Sequence, residues 1–157
     1  MIYLDHAAAT PVTPKALQAM LPYFSEHFFN PSAPYLSAKR VREAYEAAKN
    51  DLAHTIGAKG IDLVITGGAT ESINLAFTAC QGKAIALVTE HAAVLAAAKQ
   101  HDCTLIKVNK HGLIDLDDFR RSLSDDVDFV SISLANNELG TIQPLADVAE
   151  IIRSERQ

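Results

Sequence analysis

The stretch Asp62-Leu63-Val64-Ile65-Thr66-Gly67-Gly68-Ala69-Thr70-Glu71-Ser72-Ile73-Asn74-Leu75-Ala76 decides how the chain is read. Residues 62–66 are short, apolar and β-prone, and predict a strand. Gly67 and Gly68 remove side chains where the backbone turns sharply and approaches something closely. Thr70 then offers an N-cap side chain, and Glu71 suits a first helical turn. Ile73, Leu75, Ala76 and Phe77 begin a helical run. Such a junction points unpaired N–H groups and the positive end of a helix dipole outward, which suits a phosphate. The Thr70 hydroxyl adds a donor to the same place. The glycine spacing is not that of a dinucleotide fingerprint, and no lysine follows as in a P-loop. On this pattern alone an ordinary capped strand-to-helix turn stands beside the anion site as a reading.

Downstream of this junction the chain alternates. Ala84-Ile85-Ala86-Leu87-Val88-Thr89 predicts a buried strand, Ala92 to Gln100 an Ala-rich helix, and Thr104-Leu105-Ile106-Lys107-Val108 a strand. Asp115 caps a short helix carrying Leu116, Phe119 and Leu123. Val127 to Leu134 predicts a strand, and Pro144 to about Arg156 a last helix. Strands separated by helices imply a three-layer α/β/α fold with a mainly parallel sheet covered on both faces. Ligands of such sheets bind beyond the carboxyl ends of the strands. Three segments leave strands there with polar groups: Gly67-Gly68-Ala69-Thr70, Glu90-His91 and Asn136-Asn137-Glu138.

Upstream, Tyr3-Leu4-Asp5-His6-Ala7-Ala8-Ala9-Thr10-Pro11 reads as an extended arm of small residues. Thr13-Pro14 starts a helix with Ala16, Leu17, Met20, Leu21 and Phe24 at core spacing, bent or broken by Pro22. Phe28-Phe29-Asn30-Pro31-Ser32-Ala33-Pro34 is a loop whose aromatics could line a pocket. A long amphipathic helix follows, roughly Tyr35 to Ile56, with Gly57 as its C-cap. Its expected buried stripe is Val41, Tyr45, Ala48, Leu52 and Ile56.

The totals narrow the function classes. The chain has 157 residues, 48% of them hydrophobic, which suits one globular domain with a real core. A net charge of −5 without a basic cluster argues against nucleic acid. No apolar run approaches the ~20 residues of a membrane span, and the N-terminal residues lack a signal-peptide pattern. Cys80 and Cys103 make neither a disulfide framework nor a metal set, so a reducing cytoplasm is expected. Core packing suits both thiols better than nucleophilic work. The histidines other than His91 show no metal spacing. His91, between a buried strand and a helix of small residues, can stack on a flat ring or pass a proton near neutral pH, or be a hydrogen-bonded structural histidine. Asn136-Asn137 offers donors and acceptors, or simply a turn.

Taken together, Tyr3 to Pro11, Asn30-Pro31-Ser32, Thr66 to Ala76, Glu90-His91-Ala92-Ala93-Val94 and Ala135-Asn136-Asn137-Glu138-Leu139-Gly140-Thr141-Ile142-Gln143-Pro144 resemble the cysteine desulfurases. These are pyridoxal 5'-phosphate enzymes of the class V aminotransferase group with the type I transferase fold. The motifs keep the family's order and spacing over essentially the whole chain. The resemblance implies that residues 1–14 are an N-terminal arm and 15–157 part of the large domain. It implies that Ala69 and Thr70 hold the cofactor phosphate. It implies that His91 stacks on the pyridine ring and assists proton transfer, and that Asn137 bonds the 3-oxygen. It implies an activity that removes sulfur from L-cysteine, giving alanine and a protein persulfide. The sulfur then passes to iron–sulfur scaffold or other acceptor proteins, and the enzyme is a homodimer.

Family members are more than twice this length. The strand with an Asp for the pyridine nitrogen, the Ser-x-His-Lys segment with the Schiff-base lysine and the sulfur-accepting loop cysteine have no counterpart here. The expectation is therefore half of a cofactor site, inactive alone, with a complementary C-terminal half or a longer parent gene product supplying the rest. His6, Ala92 and Ala33-Pro34-Tyr35-Leu36 also depart from the usual family pattern. Selenocysteine lyases and kynureninase-like enzymes share the architecture, and a non-catalytic interaction module is the alternative from another class.

Overall fold

The computed structural model describes residues 2–155. The chain divides into two compact units, with the boundary between Ile65 and Thr66.

The first unit is helical. Thr13 accepts the Ala16 N–H on its hydroxyl at 3.3 Å, with proline at the first helical position, and α1 runs Pro14–Met20. Pro22 breaks the run as expected, and α2 is only Pro22–Ser25. The core spacing expected of this segment is not realised, because Leu17, Met20, Leu21 and Phe24 are all exposed. Nor is the arm wholly extended. The Tyr3 hydroxyl donates to the carbonyls of Asp5 and Ala9, at 2.9 and 3.0 Å, and curls residues 6–8 into a turn.

Helix α3 spans Leu36–Thr55 and stops at Gly57, whose φ of +69° is the left-handed conformation of a C-cap. Its buried residues are Ala38 and Ala53, not the expected stripe, and Tyr45, Leu52 and Ile56 are exposed. The spacing marks an apolar face but not what covers it. A cavity of about 280 Å³ lies between α2, the Asn-Pro loop and α3, lined by Tyr23, Phe29 and Arg40 among others. The pocket expected beside that loop is thus present.

Residues 63–66 are not a strand. They follow a single 3₁₀ turn, Gly60–Asp62, and make no ladder bond among the described residues. Val64 and Ile65 are 68% and 53% exposed. β-propensity describes a residue that fits a half-buried pleated surface, and here no neighbouring strand supplies that surface.

The second unit carries the sheet. Its elements are α4 (Ala69–Ala79), β1 (Lys83–Leu87), α5 (Ala92–Ala98), β2 (Cys103–Ile106), α6 (Leu116–Ser122), β3 (Val127–Ser131) and α7 (Leu145–Glu155). The expected end of the last helix at Arg156 lies outside the described residues. The strands are shorter than the apolar runs that predicted them, because pairing stops where neighbours diverge. All pairs are parallel, in the order β2-β1-β3. Ala84 to Leu87 of β1 face Cys103 to Ile106 of β2, and Ala86 faces Ser131 of β3.

Alternation along β1 splits the core in two. Ile85 and Leu87 point to one face, buried with Ile106, Ile114, Phe119, Val127, Val148 and Ile151. Ala84 and Ala86 point to the other, under Phe77, Val94, Ala97 and Ala98. The small residues let α4 and α5 lie close to the sheet. This is the three-layer α/β/α arrangement that the alternation implies.

Asp115 caps α6, accepting the N–H groups of Asp117 and Asp118 at 3.1 and 2.9 Å. Asp115→Ala is expected to cost about 1 kcal/mol of unfolding free energy, read as a lower urea midpoint with an unchanged slope.

Candidate functional site

Three residues join α4 to β1, and Ile73 and Phe77 of α4 pack on the Ala84/Ala86 face. Helix α4 therefore folds back along β1, and its N-terminus lies toward the carboxyl end of the strand. Helix α5 packs beside α4 and starts from that same end. The segment after β3 leaves the next strand at the same rim. Ala69, Thr70, His91 and Asn137 all belong to this unit and all reach that rim.

The start of α4 differs from the sequence reading in one respect. Thr70 is not the N-cap. That position is Gly68, and no side chain caps the helix. The N–H groups of Ala69, Thr70 and Glu71 find no acceptor among the described residues. Around them the turn is well fixed. Glu71 Oε2 accepts the Gly67 N–H at 2.6 Å, and the Thr66 and Ser72 hydroxyls share a bond of 2.7 Å. A Cβ on Gly68 would meet nothing within 4 Å, so the space before the helix is open. The result is a rigid turn with donors and the positive dipole end facing free space.

His91 is the N-cap of α5. Its Nδ1 accepts the Ala93 N–H at 3.1 Å, which fixes the ring and assigns the neutral tautomer's proton to Nε2. The ring is exposed. The two asparagines divide their work. Asn136 is structural: Nδ2 donates to the Thr89 carbonyl at 2.7 Å, and Oδ1 accepts from Glu138 and Leu139 N–H at 2.9 and 2.8 Å. Asn137 is exposed, and its side chain has no partner among the described residues. It keeps a donor and an acceptor for something else.

Two residues that the sequence motifs include without a role of their own prove to be buried polar groups. Glu90 is 6% exposed and Gln143 4%. Gln143 accepts the Ile114 N–H and donates to the Gly112 carbonyl, at 2.9 and 2.7 Å, pinning the loop after the asparagines. Glu90 bonds Ser133. A charged residue directly after the apolar run Ala84 to Thr89, three positions past the end of β1, is the available signal for Glu90. Gln143 carried none.

The thiols are placed for packing. Cys80 donates to Asp128 Oδ1 at 2.9 Å, and Asp128 Oδ2 accepts the N–H groups of Gln81 and Gly82. Burial, and then the bond to Asp128 and its charge, push the Cys80 thiol up to about 11. Burial and Asp102 raise Cys103 as well. The folded protein thus keeps a Cys80 proton that an unfolded chain releases above about pH 8.5. That stabilisation is complete below this pH and fades as pH rises toward about 11. Alkylation of Cys80 by iodoacetamide is expected to stay slow at pH 8 and to accelerate between pH 9 and about 11. Asp128→Asn moves the onset to lower pH, read by mass spectrometry of the alkylated peptide.

This unit is a parallel sheet covered on both faces, with an uncapped helix start, a fixed imidazole and a free carboxamide at the rim beyond the carboxyl ends of its strands, where ligands of such sheets generally bind. The Aminotransferase class-V family description matches residues 2–157, and the chain belongs to that family. It is 38% identical to cysteine desulfurase IscS 1 of Archaeoglobus fulgidus, over 97% of this chain and 43% of that protein. It is 41% identical to a mitosomal cysteine desulfurase of Trachipleistophora hominis, over 97% of this chain and 38% of that protein. Among solved structures, a NifS-like protein superposes with a TM-score of 0.91 at 29% identity, over 99% of this chain and 46% of that one. A structure titled SspA in complex with cysteine superposes with a TM-score of 0.89 at 33% identity, over 98% of this chain and 48% of that one. The chain thus spans less than half the length of these relatives.

Proposed function

We propose that the chain serves a pyridoxal-phosphate-dependent cysteine desulfurase as the part that seats the cofactor. The observation that carries this is the uncapped start of α4 at the rim where His91 and the free Asn137 stand. The residues fit the group. The N–H groups of Ala69 and Thr70, with the Thr70 hydroxyl, would hold a phosphate in the open space before Gly68. His91, its ring fixed through Nδ1, offers a flat face and a hydrogen-bond donor at Nε2. Asn137 would bond an oxygen on the ring. Bound there, pyridoxal phosphate supplies the electron sink for cleavage at the substrate α-carbon.

With Nδ1 accepting the Ala93 N–H, His91 keeps its Nε2–H free as a hydrogen-bond donor to a group seated beside it. The substrate is L-cysteine, in keeping with the names of the relatives. The net reaction moves one sulfur atom from L-cysteine to an acceptor thiol, leaving alanine and a persulfide. Cys80 and Cys103 do not suit that acceptor role, since both thiols are held protonated and a thiolate is the nucleophile. The acceptor cysteine and the cofactor lysine then belong to the part of the relatives' length that this chain does not span.

Sulfur-acceptor or iron–sulfur scaffold proteins are the downstream partners. A partner surface is supported by the exposed Leu17, Met20, Phe24, Phe28 and Leu36 of the first unit, which a second copy in a homodimer or the complementary segment would cover. No helix among the described residues is long and apolar enough to cross a membrane. Two free thiols agree with a reducing compartment such as the cytoplasm.

The test uses the 157-residue chain with pyridoxal phosphate and L-cysteine. The expected result is an induced visible circular dichroism band that saturates, with no alanine until a C-terminal segment is supplied. No saturable band overturns the seating role, and alanine from the chain alone overturns the division between two segments.

A further inference from the structure

We propose that Glu90 is a positioning residue that sets the separation of His91 from Asn137 by gripping Ser133. The proposal rests on the coenzyme reading for its consequence, but its geometry stands independently. Parallel pairing of β1 with β3 ends at Ala86 and Ser131. Beyond that point no ladder bond among the described residues holds the two exits together, and twisted strands diverge once pairing stops. His91 lies four residues past the end of β1 and Asn137 six past the end of β3. Any two groups so placed would drift unless side chains continued the work of the ladder.

Side chains do continue it, one from each exit. Glu90 Oε1 accepts the Ser133 N–H at 2.8 Å, and Oε2 accepts the Ser133 hydroxyl at 2.5 Å. Both carboxylate oxygens are thus spent on one residue of the opposite loop. In return Asn136 Nδ2 donates to the Thr89 carbonyl at 2.7 Å. The two struts attach at residues 89 and 90 on one side and 133 and 136 on the other. His91 follows immediately after the first pair and Asn137 immediately after the second. A carboxylate only 6% exposed is costly to bury, and nothing in the packing of β1 calls for one. Its oxygens hold the rim and do not face the open space beside it. Each strut crosses between the loops, so neither the β1 exit nor the β3 exit can shift without breaking a bond to the other.

The experiment compares the 157-residue chain with Glu90→Ala, Ser133→Ala and Glu90→Gln variants by NMR, first without and then with pyridoxal phosphate. Without the cofactor, Glu90→Ala is expected to displace the His91 ring and Asn137 side-chain resonances. Ser133→Ala, which keeps the backbone bond, moves them the same way by less. With the cofactor, Glu90→Ala weakens binding about tenfold, as loss of a buried hydrogen-bonded acceptor commonly does. Glu90→Gln recovers part of that loss, because its oxygen still accepts the Ser133 N–H.

His91 and Asn137 resonances that stay fixed while the melting temperature falls would overturn the proposal, leaving Glu90 a purely structural residue. Should Glu90→Ala fail to fold, Ser133→Ala and Glu90→Gln decide by the same criterion. If the unaltered chain shows no affinity for pyridoxal phosphate, the coenzyme reading fails, and the grip is judged on the cofactor-free resonances alone.

Discussion

Phe119→Ala is expected to remove about 3–5 kcal/mol from the unfolding free energy of the sheet-bearing unit. Phe119 is fully buried on α6, in the cluster with Ile85, Leu87, Ile106, Val127, Val148 and Ile151. It is the largest side chain of that cluster, so alanine leaves a cavity at the centre of one of the two core layers. A domain of this size has a total stability of roughly 5–10 kcal/mol, so the variant stands near the threshold of folding. Urea unfolding followed by far-ultraviolet circular dichroism measures the loss. A loss below about 1 kcal/mol would mean that this face of the sheet is not packed as described.

The second large effect concerns the start of α4. Ala69 is its first helical residue, and proline is well tolerated there because the N–H has no intrahelical partner. Ala69→Pro therefore leaves the helix intact while deleting one donor from the anion seat. Gly68 before it, with φ 161° and ψ 173°, is extended and compatible with a following proline. Hydrogen bonds to charged groups contribute about 1.5–3 kcal/mol, so affinity for pyridoxal phosphate should fall about 10- to 100-fold. The melting temperature should change by little. Thr70→Ala, which removes only a hydroxyl, should cost less. Equal affinity of Ala69→Pro and the parent chain would show that no phosphate sits on these N–H groups.

Local chemistry was legible in the sequence; tertiary cover was not. The Asp115 cap, the break at Pro22, the Gly57 terminator and the parallel βαβ order all follow from short-range rules, and the structure has them. Residues 63–66 share the composition of the other strands, yet no strand forms, because a strand needs a neighbour that composition does not name. The stripe of α3 failed for a related reason: Tyr45, Leu52 and Ile56 mark an apolar face, and burial depends on what lies against it.

At the rim, the Gly67-Gly68 turn, His91 and the Asn136-Asn137 pair are legible from backbone chemistry and their places at strand exits, while the choice of Asn137 over Asn136 and the roles of Ala69, Thr70 and His91 come from the resemblance. Thr70 has the side chain of a cap, but Gly68, extended and without a side chain, holds that position one residue ahead of Ala69. Leaving that cap empty is what leaves the donors free. The structural roles of Glu90 and Gln143 are not legible in the sequence because their partners lie 43 and 29–31 residues away, a separation that no local pattern records.

Amide and side-chain NMR of the chain, titrated with pyridoxal phosphate, tests most directly whether one small ring-shaped anion touches all three segments. Co-titrating shifts at the Ala69, Thr70 and Glu71 amides, the His91 ring and the Asn137 carboxamide are the predicted result. Shifts confined to one of these segments, or scattered over other surfaces, would contradict the account.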